Sequence, residues 1–410
     1  MAVISKPAFV LAVAALALPV SATAQTEVYY QHDHGTEVSG KAADKFFAKY
    51  SGELDAGDAC FAAYQIRGMA LDQRARPGVS DPDDQEWDSR LEVRQLTLNC
   101  MAGNWEWVLG KQQVTWGQGD YFRVLDVVNP LDGRENVLAY IDDFEEGRLP
   151  LTMMNATRML DNGDIQLLLI PEVKAPRLPA VDSEFDLFAG SPVRPNWDKP
   201  DSYTAQTMSA ALRYRFVAAE DWDLGLYSYY GWDGEPILLS DDEGRPELSQ
   251  RRKKLAGVSV ATPVAGWIVR GDLAYMPGSY VRNQQGEADQ ADKSSALIGF
   301  DYSYSAFTTN IQFARHWLPE KGDIDGARSD QMSFTVSQNF RADRLTLMNN
   351  TLSDSESGRT GYLNKLNLIY RLTQEVSVDT GVVQYFGHKR SQFGQFSDNS
   401  RLYFKISAQF

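Results

Sequence analysis

The sequence predicts an all-β fold: a transmembrane antiparallel β-barrel of about sixteen strands (roughly 14–18), with short periplasmic turns and long extracellular loops. Three observations point there. Short segments alternate between apolar and polar residues, their connections are by turns tight and long, and the chain closes on an alternating strand that stops at Phe410. Such alternation is what a strand between lipid and a polar lumen needs.

Composition removes other classes. The 410 residues carry 40 Lys+Arg against 55 Asp+Glu, a formal net charge of −15. An acidic chain lacks the basic face that displaces counterions from a phosphate backbone, so no nucleic-acid partner is expected. A hydrophobic share of 43% and an aromatic share of 11% exclude a disordered chain. Beyond the first twenty residues there is no run of about 18 apolar residues, which excludes helical spans.

Lys6, the apolar stretch Ala8 to Val20 and the small-residue exit Ala22-Thr23-Ala24 have the pattern of a secretory signal peptide, residues 1–24. The expected location is therefore the bacterial outer membrane. Residues 25–56 read as an N-terminal periplasmic segment. Within it, Gln31-His32-Asp33-His34-Gly35 reads as a solvated leader rather than a metal site. The barrel is assigned to residues 57–410.

Strands are expected near 57–72, 88–101, 105–116, 151–160, 164–170, 203–217, 221–231 and 249–262. Eight more follow near 266–277, 292–304, 307–317, 330–340, 344–352, 360–371, 374–386 and 400–410. The last is the clearest. Leu402, Phe404, Ile406, Ala408 and Phe410 share one face, and Arg401, Tyr403, Lys405, Ser407 and Gln409 the other. Tight connections such as Ala102-Gly103-Asn104 and Asp161-Asn162-Gly163 alternate with long ones at 117–150, 171–202, 232–248, 278–291, 318–329 and 387–399. An even strand count puts both chain ends on the periplasmic side. The terminal Phe410 resembles the signal read by the barrel assembly machinery.

Cys60 and Cys100 flank a segment centred on the turn Pro77–Asp84. A hairpin about that turn sets them opposite each other near the periplasmic rim, within disulfide reach. The four His (32, 34, 316 and 388) stand in no recognisable nucleophile-base pattern, and no phosphate loop or Cys/His metal quartet occurs. No catalytic residue, metal or cofactor is assigned, and an enzyme is not expected.

The polar faces place Arg213, Arg215, Arg270, Asp272, Asp301, His316, Lys365, Arg371, Arg401 and Lys405 in the lumen, with Asp379. They form either an electrostatic filter or a ladder of ion pairs stiffening the wall. The acidic runs Asp81-Pro82-Asp83-Asp84, Asp142–Glu146 and Asp241–Glu243 read as solvated loop or mouth charge.

Gly110-Lys111-Gln112-Gln113-Val114-Thr115-Trp116-Gly117, then Asp120 and Asp126-Val127-Val128-Asn129-Pro130-Leu131-Asp132, resembles a block of one outer-membrane barrel family. That family is of unassigned function, often encoded beside RND-type exporters and akin to alginate-export porins. Its pattern has Arg more often where Lys111 stands, and the detailed likeness covers residues 105–175. Trp116 reads as a strand end at the membrane interface. Residues 117–150, with a short helix at 134–144, read as a loop folded into the mouth or lumen, with Asp120, Arg123, Asp126 and Asp132 lining a constriction.

The expected function is a porin-like channel for passive transport of a small solute. The alternative is a non-conducting, plugged barrel in an envelope export or assembly complex, with RND-type exporters as partners. Outer-membrane lipid and lipopolysaccharide would surround either, and the sequence leaves the oligomeric state open.

Overall fold

The computed structural model describes residues 24–36, 42–73, 86–139, 141–180, 183–188, 191, 193–219, 221–240 and 243–410. The expected signal peptide (all but Ala24), the acidic run Asp81–Asp84 and the pair Asp241–Asp242 lie outside these residues. Eighteen strands form one closed antiparallel barrel. They are β1 (Gln25–Gly35), β2 (Ala42–Asp55), β3 (Cys60–Gln73), β4 (Glu86–Ala102), β5 (Trp105–Gln112) and β6 (Leu151–Leu160). Next come β7 (Gly163–Ile170), β8 (Ser209–Ala218), β9 (Trp222–Trp232), β10 (Arg252–Val264), β11 (Trp267–Arg282) and β12 (Ala288–Tyr304). The last six are β13 (Phe307–Leu318), β14 (Ala327–Phe340), β15 (Leu345–Glu356), β16 (Arg359–Arg371), β17 (Val376–Gly387) and β18 (Arg401–Gln409). Pairing of β1 with β18 closes the wall, and Thr26 and Phe410 exchange backbone hydrogen bonds of 3.0 and 2.9 Å. Closure leaves no strand edge unpaired in lipid.

The count exceeds sixteen by two, and the extra strands are β1 and β2. Residues 25–56 are thus mostly barrel wall, not a periplasmic leader. Their alternation is masked because aromatic residues occupy both faces. Tyr29 stacks on Phe47 inside, with ring centroids 4.5 Å apart, while Tyr30 meets Phe46 on the other face at 5.0 Å. The segment 278–291, expected as a long loop, is mostly strand too: β11 and β12 run on past a register shift between Met276 and Ser279.

The outer face carries exposed Leu96, Leu98, Leu212, Leu273, Phe313, Leu366 and Phe404, the side chains that meet lipid. Exposed aromatics flank them. Trp222, Tyr304 and Phe340 stand toward the tight-turn end, and Tyr230, Tyr275, Trp317 and Phe386 toward the other. From Trp222 to Tyr230 is eight residues of strand, about 26 Å along the chain at roughly 3.3 Å each, or about 20 Å of height at a tilt of about 35–45°, most of an outer-membrane apolar band. At Ala265-Gly266 and Ser357-Gly358 both turn residues have positive φ, as the tightest hairpins require.

The main hydrophobic core lies inside the barrel, where a porin-like wall alone would leave polar groups and water. It is built from Val114, Trp116, Phe122, Leu125 and Ile141 of the β5–β6 connection against Leu168, Tyr227, Leu255, Leu297 and Leu352 of the wall. Two further connections, 171–208 and 233–251, contribute a small three-stranded sheet of Asn196–Asp198, Ile237–Ser240 and Pro246–Ser249.

Candidate functional site: the lumen and its inserted loop

The β5–β6 connection, residues 113–150, crosses the lumen because its sequence cannot stay in water. Val124, Leu125, Val128, Ile141 and Leu149 are each at most 3% exposed. Burying a side chain of this kind stabilises by about 1.5–3 kcal/mol. Five residues past the end of β5 the loop turns at Gly117, whose φ of +81° is the left-handed region that suits glycine. A Cβ there would stand 2.7 Å from Asp272 Oδ2. This close approach lets the Gln118 N–H donate to the same oxygen at 2.8 Å.

Polar contacts fix both flanks. On the β11–β13 side, Asp120 accepts from Arg270 (2.8 Å), Asn310 (2.9 Å) and Gln312 (2.9 Å), and Arg270 also meets Asp301 at 2.6 Å. Across the lumen stands the one-turn helix α1 (Phe144–Gly147), N-capped by Asp143, which accepts from Glu145 N at 2.9 Å. Glu146 lies 2.6 Å from Arg67 and 3.3 Å from Lys49, while Lys365 donates to both Asp142 carboxylate oxygens at 2.5 and 2.6 Å. Where β3 pairs β4, Gln65 faces Gln95 and Ile66 faces Val93, so Arg94 is the extra residue of a bulge. It turns inward, 2% exposed, and donates to the Glu145 carbonyl at 2.7 Å.

Electrostatics inside the loop are correspondingly one-sided. Burial would raise the carboxyl of Glu146, but Arg67, Lys49 and Arg94 outweigh it and hold it below its ordinary value. Asp132 is likewise raised by burial, yet the hydrogen bond and charge of Arg134, with the charges of Arg177 and Arg90, bring it down to about 2.

Beside the loop a cavity of about 200 Å³ remains. Its walls are the inward faces of β1–β3 and β16–β18, loop residues 132–146, and Glu184 and Phe185 of the connection 171–208. It reaches from Glu27 to Asp33 along β1, about 20 Å at roughly 3.3 Å per residue.

The expected lumen residues fall as follows. Arg213 and Arg215 both pair with Asp164, at 2.8 Å each, near the tight-turn end. Arg270, Asp272 and Asp301 gather around the loop's entry. His316 lies between Ser295 (2.8 Å) and Gln331 (3.1 Å) on another part of the lumenal surface. Lys365, Arg401 and Lys405 line the cavity described above. Arg401, 4% exposed, meets Glu184 at 2.8 Å and Asp33 at 3.2 Å, and Lys405 stands 3.6 Å from Asp379. Arg371 is exposed at the last position of β16, outside this group.

The four loop residues do not act alike. Asp120 and Asp132 stand at the loop surface against wall or cavity. Arg123 donates to the Asn129 carbonyl at 2.6 Å. Asp126, 4% exposed, is bound to Arg148 at 3.0 Å inside the loop's own core and lines no opening. Trp116 is not at the membrane interface: it is 2% exposed within the lumen, donates to Gln166 at 2.9 Å and meets Tyr227 edge-on. Its strand ends four residues earlier, at Gln112. The expected helix over 134–144 is replaced by a 3₁₀ turn at Asn136–Ala139 followed by α1. The run Asp142–Glu146, read as solvated mouth charge, is the loop's main contact with cationic wall residues. His32 faces outward beside Asp44, at 2.8 Å. Among the described residues no cluster of three or more His, Cys, Asp or Glu is gathered to hold a metal. Cys60 and Cys100 are disulfide-bonded, their Cα atoms 4.2 Å apart.

Sequence reasoning missed Lys45, Lys49, Arg67, Glu92, Arg94, Glu146 and Glu184. Lys45 and Lys49 were hidden with β2. The parity of β3 and β4 could have found Arg67 and Glu92, but not the bulge that turns Arg94.

A family model described as a protein of unknown function (DUF1302) matches residues 98–348. No curated protein matches in sequence. Among solved structures, Pseudomonas aeruginosa OccK8 (OprE) aligns with a TM-score of 0.52 and 12% identity, over 95% of this chain and 98% of that one. Acinetobacter baumannii OccAB4 aligns at 0.50 and 8%, over 95% and 96%. Pseudomonas aeruginosa OccD3 (OpdP) aligns at 0.50 and 10%, over 95% and 90%. At such identities the likeness is one of fold.

Proposed function

The chain belongs to the DUF1302 family of proteins of unknown function, and for it we propose a porin-like outer-membrane channel that passes a small solute passively through the corridor beside the inserted loop. The observation that carries this reading is the corridor itself. A cavity of about 200 Å³, lined by charged side chains and running along the wall, offers a path for a small polar solute. A larger cavity of about 1180 Å³ lies against the loop's other face, lined by Arg123, Val127, His316 and Asp354, so the loop divides the lumen, and size and charge would decide what enters the narrower side.

A second reading has its own observation. Lys365, Arg67 and Arg270 all close onto loop carboxylates. Such a fully latched loop suits a barrel that conducts nothing until a partner moves it. RND-type exporters are the proposed partner class, with lipopolysaccharide around the barrel and the assembly machinery reading Phe410. Swelling of proteoliposomes in isosmotic erythritol tests the choice. Entry faster than in protein-free vesicles supports the channel, and no entry through a folded barrel supports the latched form.

A further inference from the structure

Resting on the channel reading, we propose that the corridor selects zwitterionic small solutes, taken with the carboxylate toward the wall and the ammonium toward the loop. Basic and acidic side chains line the corridor in equal number, eight of each among the described residues. They are segregated. Seven of the eight basic groups stand on barrel strands, and six of the eight acidic groups stand on the two inserted connections. The solute therefore passes between a cationic wall and an anionic loop.

The opposing groups meet across the gap. Lys45 on β2 stands 2.8 Å from Glu135 on the loop, with side chains 14% and 16% exposed. A lone anion or cation entering here must take one partner and leave the other charged, poorly hydrated and unpaired, which is costly. A zwitterion exchanges into the pair: its carboxylate takes the lysine as its ammonium takes the glutamate. Aromatic faces lie beside the same cations. The Tyr29 ring is 6.0 Å from Lys45 Nζ and the Tyr403 ring 5.0 Å from Lys365 Nζ. They offer an apolar surface to the methylenes between a solute's two charges.

The test compares proteoliposome swelling in γ-aminobutyrate, a zwitterion, with swelling in erythritol, a neutral solute of similar size. Each variant is first shown to be folded by its heat-modifiable gel mobility. The full chain should admit γ-aminobutyrate about threefold faster than erythritol, or more. The double variant Lys45→Gln with Glu135→Gln should lose that preference while still admitting erythritol. The exchanged pair Lys45→Glu with Glu135→Lys should keep it. Erythritol entry without a zwitterion preference, or a preference that survives the double neutral variant, overturns the proposal and leaves the channel reading standing. Entry of neither solute removes the channel reading itself.

Discussion

Arg67 on the barrel wall and Glu146 on the inserted loop meet at 2.6 Å, one at 7% and the other at 18% side-chain exposure. Neither belongs wholly to the other: Arg67 also meets Glu92 at 2.6 Å, and Glu146 also meets Lys49 at 3.3 Å. The pair is therefore one link of a chain of alternating charges joining the wall to the loop. A buried pair broken on one side costs about 3–5 kcal/mol. Arg67→Met leaves Glu146 with Lys49, so the loss should fall at the low end of that range. Single-channel recording should show this as larger or flickering conductance, with the heat-modifiable mobility of the folded barrel retained.

The apolar contact beneath the loop gives an independent handle. Leu125 is fully buried, and a Cβ added at Gly257 on β10 would stand 2.2 Å from its Cδ2. Gly257→Val should push Leu125 off the wall, whereas Leu125→Ala should leave a cavity costing about 2–5 kcal/mol. Both should weaken loop docking. Protease cleavage within 117–150 is the readout, faster in each variant than in the unaltered chain.

Acid should loosen the loop, and the sign follows from Asp132 and Glu146. Both carboxyls titrate lower in place than when free, Asp132 at about 2 against an ordinary 3.8. Their stabilisation is fully present above the ordinary carboxylate values and is lost as pH falls through the lowered ones. Conductance should be level from neutral pH to about 5 and rise below about 4. The Asp132→Asn variant should show a smaller rise.

The disulfide lies elsewhere in the wall and should behave differently. Cys60 and Cys100 pair where β3 begins and β4 ends, next to the tight turns. Replacing both by Ser should lower the thermal unfolding midpoint, with a loss of about 2–4 kcal/mol. Ion selectivity should not change.

How much of this was legible in the sequence depended on which side of the wall a residue serves. Strands with lipid on one face and polar groups on the other, such as β18 and β13, declare themselves by alternation. Where the inserted loop packs on the wall, inward positions are apolar as well, as at Tyr227, Leu255 and Leu297, and the period-two signal fades. Aromatics on both faces hid β1 and β2 in the same way. The loop was visible as a segment too long for a casual connection, and Lys365 and Arg270 were visible as inward cations. Their partners were not. Asp142 and Lys365 are 223 residues apart, and only the three-dimensional path of the loop joins them.

The central claim is that the loop constricts an open path beside it, and single-channel conductance in a planar bilayer tests this most directly. The full chain is compared with a variant in which 117–150 is replaced by a short Gly/Ser linker. A small steady conductance that rises on removal is the predicted result. Silence from both, with each barrel demonstrably folded, would contradict it.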